Sequence, residues 1–275
     1  MYDETKRASL KATANEIRKW TLEMLCNLGV GHVGGSLSII DMLTVLYFDK
    51  MNIDPANPKW EERDRFILSK GHAGPGLYAT LARRGFMPKE MLDTLNRPYT
   101  NLPSHCDMIR TPGIDQTTGS LGQGISCAVG HAIAQKMRGR NNYVYAMVGD
   151  GEIQEGQAWE AFMLAGARKL DNFIVFVDNN GLQVDGKIEE VVDIQPLADK
   201  MRAFNFKVLE IDGHDLDQIS DAIEMAKDFK APTCIIAKTV KGRGFKPLEG
   251  TRPVHNTQVT PEILKACCDY IDATY

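Results

Sequence analysis

The sequence predicts an α/β protein with a doubly wound, mainly parallel sheet flanked by helices, and three observations carry that prediction. Short apolar runs recur at 65–69, 143–148, 173–177, 207–211 and 234–239. Helical patterns fill the gaps at 76–84, 121–137, 154–169, 195–204 and 215–229. The runs are apolar at successive rather than alternate positions, which marks strands covered on both faces. In sheets of this kind ligands collect beyond the carboxyl ends of the strands.

The segment Met1-Tyr2-Asp3-Glu4 is acidic and leads into a polar helix, so it does not read as a signal peptide. Ile17, Trp20, Thr21, Met24, Leu25 and Leu28 keep the i, i+3, i+4 spacing of an amphipathic helix, stopped at Gly29. A glycine-rich loop is expected at 29–35. Ser38-Ile39-Ile40-Asp41 then reads as a capping box opening a second helix. The alternating strands and helices come next, and after Pro247 loop residues dominate until a short helix near 261–273. No internal repeat or low-complexity segment intervenes, so residues 1–275 read as one domain.

Composition narrows the function classes. The 275 residues are 43% hydrophobic and 25% charged with a formal net charge of −4, proportions of an ordinary globular protein and not of a disordered chain. No stretch of about 18 uninterrupted apolar residues predicts a membrane span. No cluster of lysine and arginine offers a footprint for nucleic acid. Cys26, Cys106, Cys127, Cys234, Cys267 and Cys268 lack metal-ligand spacing and read as reduced thiols of a cytoplasmic enzyme. Gly29-Val30-Gly31-His32-Val33-Gly34 satisfies G-x-G-x-x-G, but it follows a helix rather than a strand, which removes the dinucleotide-binding geometry.

The chemistry concentrates at Val148-Gly149-Asp150-Gly151-Glu152-Ile153-Gln154-Glu155-Gly156. A strand running into Gly-Asp-Gly delivers one carboxylate to the carboxyl edge of the sheet, where the flanking glycines leave room for a bulky anion. The next strand ends in Asp178-Asn179-Asn180-Gly181, about one helix and one strand later, so Asp150 and Asn180 should emerge side by side. One carboxylate, one amide oxygen and a loop carbonyl suit a hard cation, Mg²⁺ or Ca²⁺, with positions left for phosphate oxygens. Alone, Gly-Asp-Gly would read as a tight turn with an Asx cap; the asparagine pair tips the reading toward a cation site.

The Gly149-Asp150-Gly151…Asn179-Asn180 pair resembles the thiamin diphosphate signature, and its surroundings resemble transketolase in particular. Gly31-His32, Ser69-Lys70-Gly71-His72-Ala73, Thr117-Thr118-Gly119-Ser120-Leu121-Gly122-Gln123-Gly124 and Lys238-Thr239-Val240-Lys241-Gly242-Arg243-Gly244 match that family in order. The resemblance covers nearly the whole chain, but only the family's N-terminal, diphosphate-binding half. It implies thiamin diphosphate and Mg²⁺ (or Ca²⁺) as cofactors. It also implies reversible transfer of a two-carbon ketol unit from a ketose to an aldose, sugars or sugar phosphates. The pyrimidine-binding and C-terminal domains would lie on a separate transketolase subunit in an α2β2 assembly.

Residue by residue, the resemblance implies Asp150, Asn180 and the carbonyl of Leu182 as metal ligands. It implies diphosphate contacts from Gly151 and His72, and packing of Leu121 and Val184 on the thiazolium ring. Glu155 corresponds to a buried acid communicating between the two active sites of a dimer. His32, His105 and His255 correspond to histidines facing the sugar, a role suited to a side chain that titrates near neutrality. Ser104-His105-Cys106 departs from the family's Gly-His-Pro, and Val254-His255-Asn256 from its Val-His-Gly. His131 and His214 read as structural. Two other readings stay open: a different thiamin enzyme, such as a deoxyxylulose-phosphate synthase or the α chain of a 2-oxoacid dehydrogenase, and a non-catalytic subunit that binds the cofactor only to regulate.

Overall fold

In a computed structural model describing residues 1–275, each run expected to be a strand is one. The chain runs α1 (Glu4–Leu28), β1 (Val30–Gly31), α2 (Val33–Leu37), α3 (Ile40–Val45), β2 (Arg65–Leu68), α4 (Gly74–Arg84), α5 (Gln123–Met137), β3 (Val144–Gly149), α6 (Gly156–Ala167) and β4 (Phe173–Asn179). It continues through α7 (Ile188–Val191), α8 (Leu197–Ala203), β5 (Lys207–Asp212), α9 (Leu216–Asp228), β6 (Thr233–Lys238), β7 (Thr257–Gln258) and α10 (Pro261–Thr274). Five strands form one parallel sheet in the order β2-β3-β4-β6-β5, while β1 and β7 make a small antiparallel pair.

Side chains alternate across a strand, so each strand feeds two cores. Tyr145 and Met147 of β3, Ile174 and Phe176 of β4, and Ile235 and Ala237 of β6 join the larger core with α1, α3, α4 and α9. Val144, Ala146 and Val148, Phe173, Val175 and Val177, and Cys234 and Ile236 join the second core with α5, α6 and α8. Fully burying each larger side chain is worth about 1.5–3 kcal/mol, which fixes the register of the central strands. β5 differs from the expected two-faced burial: it lies at the sheet edge with Lys207, Glu210 and Asp212 exposed. Charges on an edge strand discourage pairing with another chain.

The segment 29–38 departs from expectation in two ways. Residues 33–35 are the start of α2 and not loop, because this turn is clamped under the C-terminal segment: a Cβ on Gly34 would sit 2.9 Å from the Val254 carbonyl oxygen. The capping box does not form. Ser38 Oγ instead donates to Asp178 Oδ2 at 2.7 Å, and Asp41 is buried against Arg18 and His214, so α3 begins at Ile40 with Ile39 at its N-cap and no side-chain cap. Tertiary partners outbid the local bond. No helix is long and apolar enough to cross a membrane. All six cysteines are free thiols.

Candidate active site

Four neighbouring strands deliver their carboxyl ends to one polar cleft of about 220 Å³. Lys70 and His72 follow β2, Asp150 to Glu152 follow β3, Asn180 to Val184 follow β4, and Lys241 follows β6. The parallel register pairs Gly149 with Asp178, which sets Asp150 beside the Asn179-Asn180 turn as the spacing predicted. Asp150, Gly151, His72, Leu121, Asn180, Leu182, Val184, His255 and Glu155 all line this cleft. His32 adjoins it, its ring 5.4 Å from His72 and 5.5 Å from His255, and His105 lies 5.9 Å from His32.

Asp150 is 2% exposed and has no cationic partner within ion-pair distance. Its oxygens accept only backbone N–H groups, from Gly151 at 2.8 Å and Gly181 at 2.6 Å. Gly181 turns the chain at φ +76°, a conformation that lets its N–H reach back to Asp150. Burial, and then the charge of Asp178, push the Asp150 carboxyl up to about 7. A bound cation relieves that strain. The Asn180 amide is fixed at both ends: Nδ2 donates to Asp178 Oδ2 at 3.0 Å, and Oδ1 accepts from the Leu182 N–H at 3.1 Å. The Leu182 carbonyl accepts from Lys241 Nζ at 2.8 Å, so a cation already sits on the third donor. No three His, Cys, Asp or Glu side chains gather to hold a metal. A set of one carboxylate, one amide and one carbonyl therefore fits a hard ion that takes its remaining oxygens from a diphosphate.

Three residues given no role by sequence reasoning organise this site. Asp178 is fully buried and accepts from Lys70 Nζ at 2.5 Å, Ser38 Oγ, Asn180 Nδ2 and Thr239 Oγ1. Burial pushes its carboxyl up, but Lys70 and these hydrogen bonds outweigh burial and hold it below its usual value. Lys70 also donates to the Gly35 carbonyl at 3.0 Å, which anchors α2 over the cleft. Burial, then Lys70, pull Lys241 down to about 8. Lys70 is paired with Asp178, and Lys241, which pairs with no carboxylate, is the cleft's positive charge toward a diphosphate.

Glu155 lines the cleft and is exposed on this single chain, where the resemblance expects a dimer contact to bury it. The buried acid of this loop is Glu152, at 2% exposure. It accepts from Ser69 Oγ at 2.6 Å, Gly122 N–H at 2.9 Å and Gly149 N–H at 3.1 Å, tying three site loops together. Leu121 is half-buried and Val184 exposed, leaving apolar surface on the cleft wall. His131 packs on α5 against Gln116, outside the cleft.

Three of the clustered imidazoles are held toward the neutral form. Burial and then Lys241 push His255 down to about 4, burial and then His105 lower His32, and burial and then Lys70 hold His72 well below the usual range. Unfolding frees these rings to titrate near about 6.5, so below that pH the unfolded chain binds more protons than the folded one. These rings therefore contribute stability that rises with pH between about 4 and 6.5, against an opposite slope from Asp150, whose raised carboxyl takes up a proton in the folded chain below about 7. Between pH 7 and pH 5 the melting temperature of His255→Gln is expected to rise relative to that of wild type. Equal slopes for the two proteins would contradict the assignment.

Comparison with known proteins agrees with this arrangement. Residues 9–267 match the family model described as "Transketolase, thiamine diphosphate binding domain". The chain is 55% identical over 262 residues to a 6-deoxy-6-sulfo-D-fructose transketolase subunit of Clostridium sp. (strain MSTE9), covering 95% of each. It is 39% identical over 258 residues to an apulose-4-phosphate transketolase subunit of Phocaeicola vulgatus, covering 92% of this chain and 90% of that one. The crystal structure of Campylobacter jejuni transketolase superposes with a TM-score of 0.91 at 35% identity, over 96% of this chain and 42% of that one. The chain thus spans about two fifths of a full-length transketolase and nearly all of the subunit-sized relatives. With its parallel sheet, its Asp150–Asn180 strand ends and its histidine-lined cleft, this chain belongs to the transketolase family and comprises that family's thiamine diphosphate-binding domain.

Proposed function

We propose that this chain is the diphosphate-binding subunit of a cytoplasmic, two-component transketolase. It acts with a second subunit carrying the pyrimidine-binding domain, in an α2β2 assembly. The observation that carries this reading is the convergence of Asp150, Asn180, the Leu182 carbonyl, His72 and His255 on one cleft, with His32 and then His105 stacked beside it. Mg²⁺ (or Ca²⁺) would be held by those three oxygens, the diphosphate by His72 and the Gly151 backbone, and the thiazolium by Leu121 and Val184. When bound, thiamin diphosphate supplies the electron sink that a ketol transfer needs. The chain's own residues bind and orient. His32, His105 and His255 donate to and accept from sugar hydroxyls and move protons at them, with His32 and His255 held toward the neutral form by burial.

The relatives named above point to the substrate class. One is named for a ketose ending in a sulfonate and another for a ketose phosphate. The donor proposed here is a ketose with an anionic group at its far end, with 6-deoxy-6-sulfo-D-fructose the first to assay because that relative is 55% identical. The test is ketol transfer by the two subunits combined, with thiamin diphosphate and Mg²⁺. Release of a shortened aldose from an anionic ketose supports the reading. Pyruvate decarboxylation with no ketol transfer would replace it with another thiamin enzyme.

A mutational split separates the roles. His32→Ala and His105→Ala are expected to lower kcat/KM by about 10²–10⁴-fold, the range of positioned acid–base groups, with cofactor affinity barely changed. His72→Ala is expected to weaken cofactor binding first, with the rate recovered at saturating cofactor. A silent His105→Ala would remove that residue from the sugar site.

A further inference from the structure

His214 lies outside the cleft, yet both of its ring nitrogens are committed. Nδ1 is 2.8 Å from Asp41 Oδ2, and Nε2 is 2.8 Å from the backbone nitrogen of Val240. The side chain is 6% exposed. Burial pushes the Asp41 carboxyl up, but the Arg18 guanidinium and His214 itself outweigh it and hold the group ionised. An ionised carboxylate only accepts, so Nδ1 carries the hydrogen. An amide only donates, so Nε2 carries none. The ring is thereby locked as one neutral tautomer.

Val240 opens the loop that closes the cleft. Thr239 N–H donates to the Asn179 carbonyl at 3.2 Å, Thr239 Oγ1 to Asp178, Lys241 Nζ to the Leu182 carbonyl at 2.8 Å, and Gly242 N–H to the Gly34 carbonyl at 2.9 Å. The Lys241 carbonyl accepts from the Gly250 N–H at 2.8 Å and the Val240 carbonyl from the Arg243 N–H at 3.2 Å. The Val240 N–H is held by a side chain, His214, anchored through Asp41 and Arg18 to α3 and α1. Arg243, whose Nε lies 3.8 Å from Asp41 Oδ2 and whose guanidinium lies 4.4 Å from the centre of the Tyr275 ring, steadies the far end of the loop.

We infer that His214 is a positioning residue for the thiamin site: as a tautomer-locked acceptor it holds the 239–242 backbone so that Lys241 and Thr239 meet Leu182 and Asp178. This rests on the proposed function for the identity of the ligand, and on the hydrogen bonds alone for the loop. A side chain without an acceptor leaves a buried N–H unpaired, at the full desolvation cost of that group. The loop should then open more often.

Three measurements on the full chain test this. Nitrogen-15 spectra of the histidine rings should show His214 as the neutral Nδ1–H form at pH 7.5; an Nε2–H or doubly protonated ring overturns the inference. His214→Phe, which keeps a flat ring but no acceptor, should speed amide exchange at 239–242 and weaken binding of thiamin diphosphate with Mg²⁺ by about tenfold or more. His214→Gln retains a carbonyl acceptor and an N–H donor and should recover most of both effects. Unchanged exchange in His214→Phe, or equal damage in both variants, overturns the inference. Should His214→Phe not fold, the ring spectrum and His214→Gln exchange decide it. A wild-type chain that fails to bind thiamin diphosphate counts against the proposed function, while the spectrum and the exchange still judge His214.

Discussion

Replacing Asp150 with alanine is expected to abolish retention of thiamin diphosphate, with a loss of at least about 3 kcal/mol, roughly 150-fold, in the coupled binding of cofactor and divalent ion. The reason lies in the inventory of charge at the cleft. Two buried cleft carboxylates lack a cationic partner, Asp150 and Glu152, and of these only Asp150 stands beside Asn180 and Leu182; Glu152 is tied to Ser69 and two backbone N–H groups, and Asp178 is paired with Lys70. Removing it takes away the only full negative charge among the three oxygens available to the metal. Lys241 then faces the diphosphate without an ion between diphosphate and protein, Lys70 staying paired with Asp178. Asn180→Ala should be milder, because water replaces a neutral ligand, although Asp178 also loses one of its four donors. Cofactor titrations of wild type and both variants in the presence of Mg²⁺ check this. Equal affinity for wild type and Asp150→Ala would sink the metal assignment.

The sheet was legible in the sequence because its central strands are apolar on both faces and bounded by glycine turns. That pattern survives any tertiary detail. The same logic placed Asp150 and Asn180 together, since two adjacent parallel strands leave their carboxyl ends no other relation. What escaped was whatever depends on long-range partners. Ser38 and Asp41 carry a capping-box spacing, but Asp178 and Arg18 lie across the fold, and no local pattern reports them. Lys70 sits in a conspicuous Ser-Lys-Gly-His run and still reads locally as a surface lysine; only the Asp178 carboxylate 2.5 Å away reveals it as buried. Glu152 and Glu155 are three residues apart on one turn, and sequence alone could not say which points inward. His214 reads as structural in the sequence for the same reason: its two partners, Asp41 and Val240, are distant in the chain.

These 275 residues by themselves are expected to show no ketol transfer, even with saturating thiamin diphosphate and Mg²⁺. All five long strands are used in one sheet, and its four site-forming ends converge on the metal and diphosphate groups. No second sheet remains to cover the cleft, which opens to solvent beside exposed Glu155 and Val184. A site of this kind grips one end of the cofactor and leaves the reactive ring in water, where proton transfers to and from the ring have no fixed partner. A second subunit would supply the missing wall and bury Glu155, restoring the environment that the family resemblance expects for it. The apolar side chains Met137 on α5 and Met163 and Leu164 on α6 are exposed on packed neighbouring helices and offer such a partner a surface. Uncovered, that surface should drive self-association of the lone chain, visible by light scattering and suppressed when the partner is added. The decisive assay measures ketol transfer by the chain alone and then with the partner subunit. Turnover appearing only in the mixture is the expected result, and full turnover by the lone chain would refute the two-component reading.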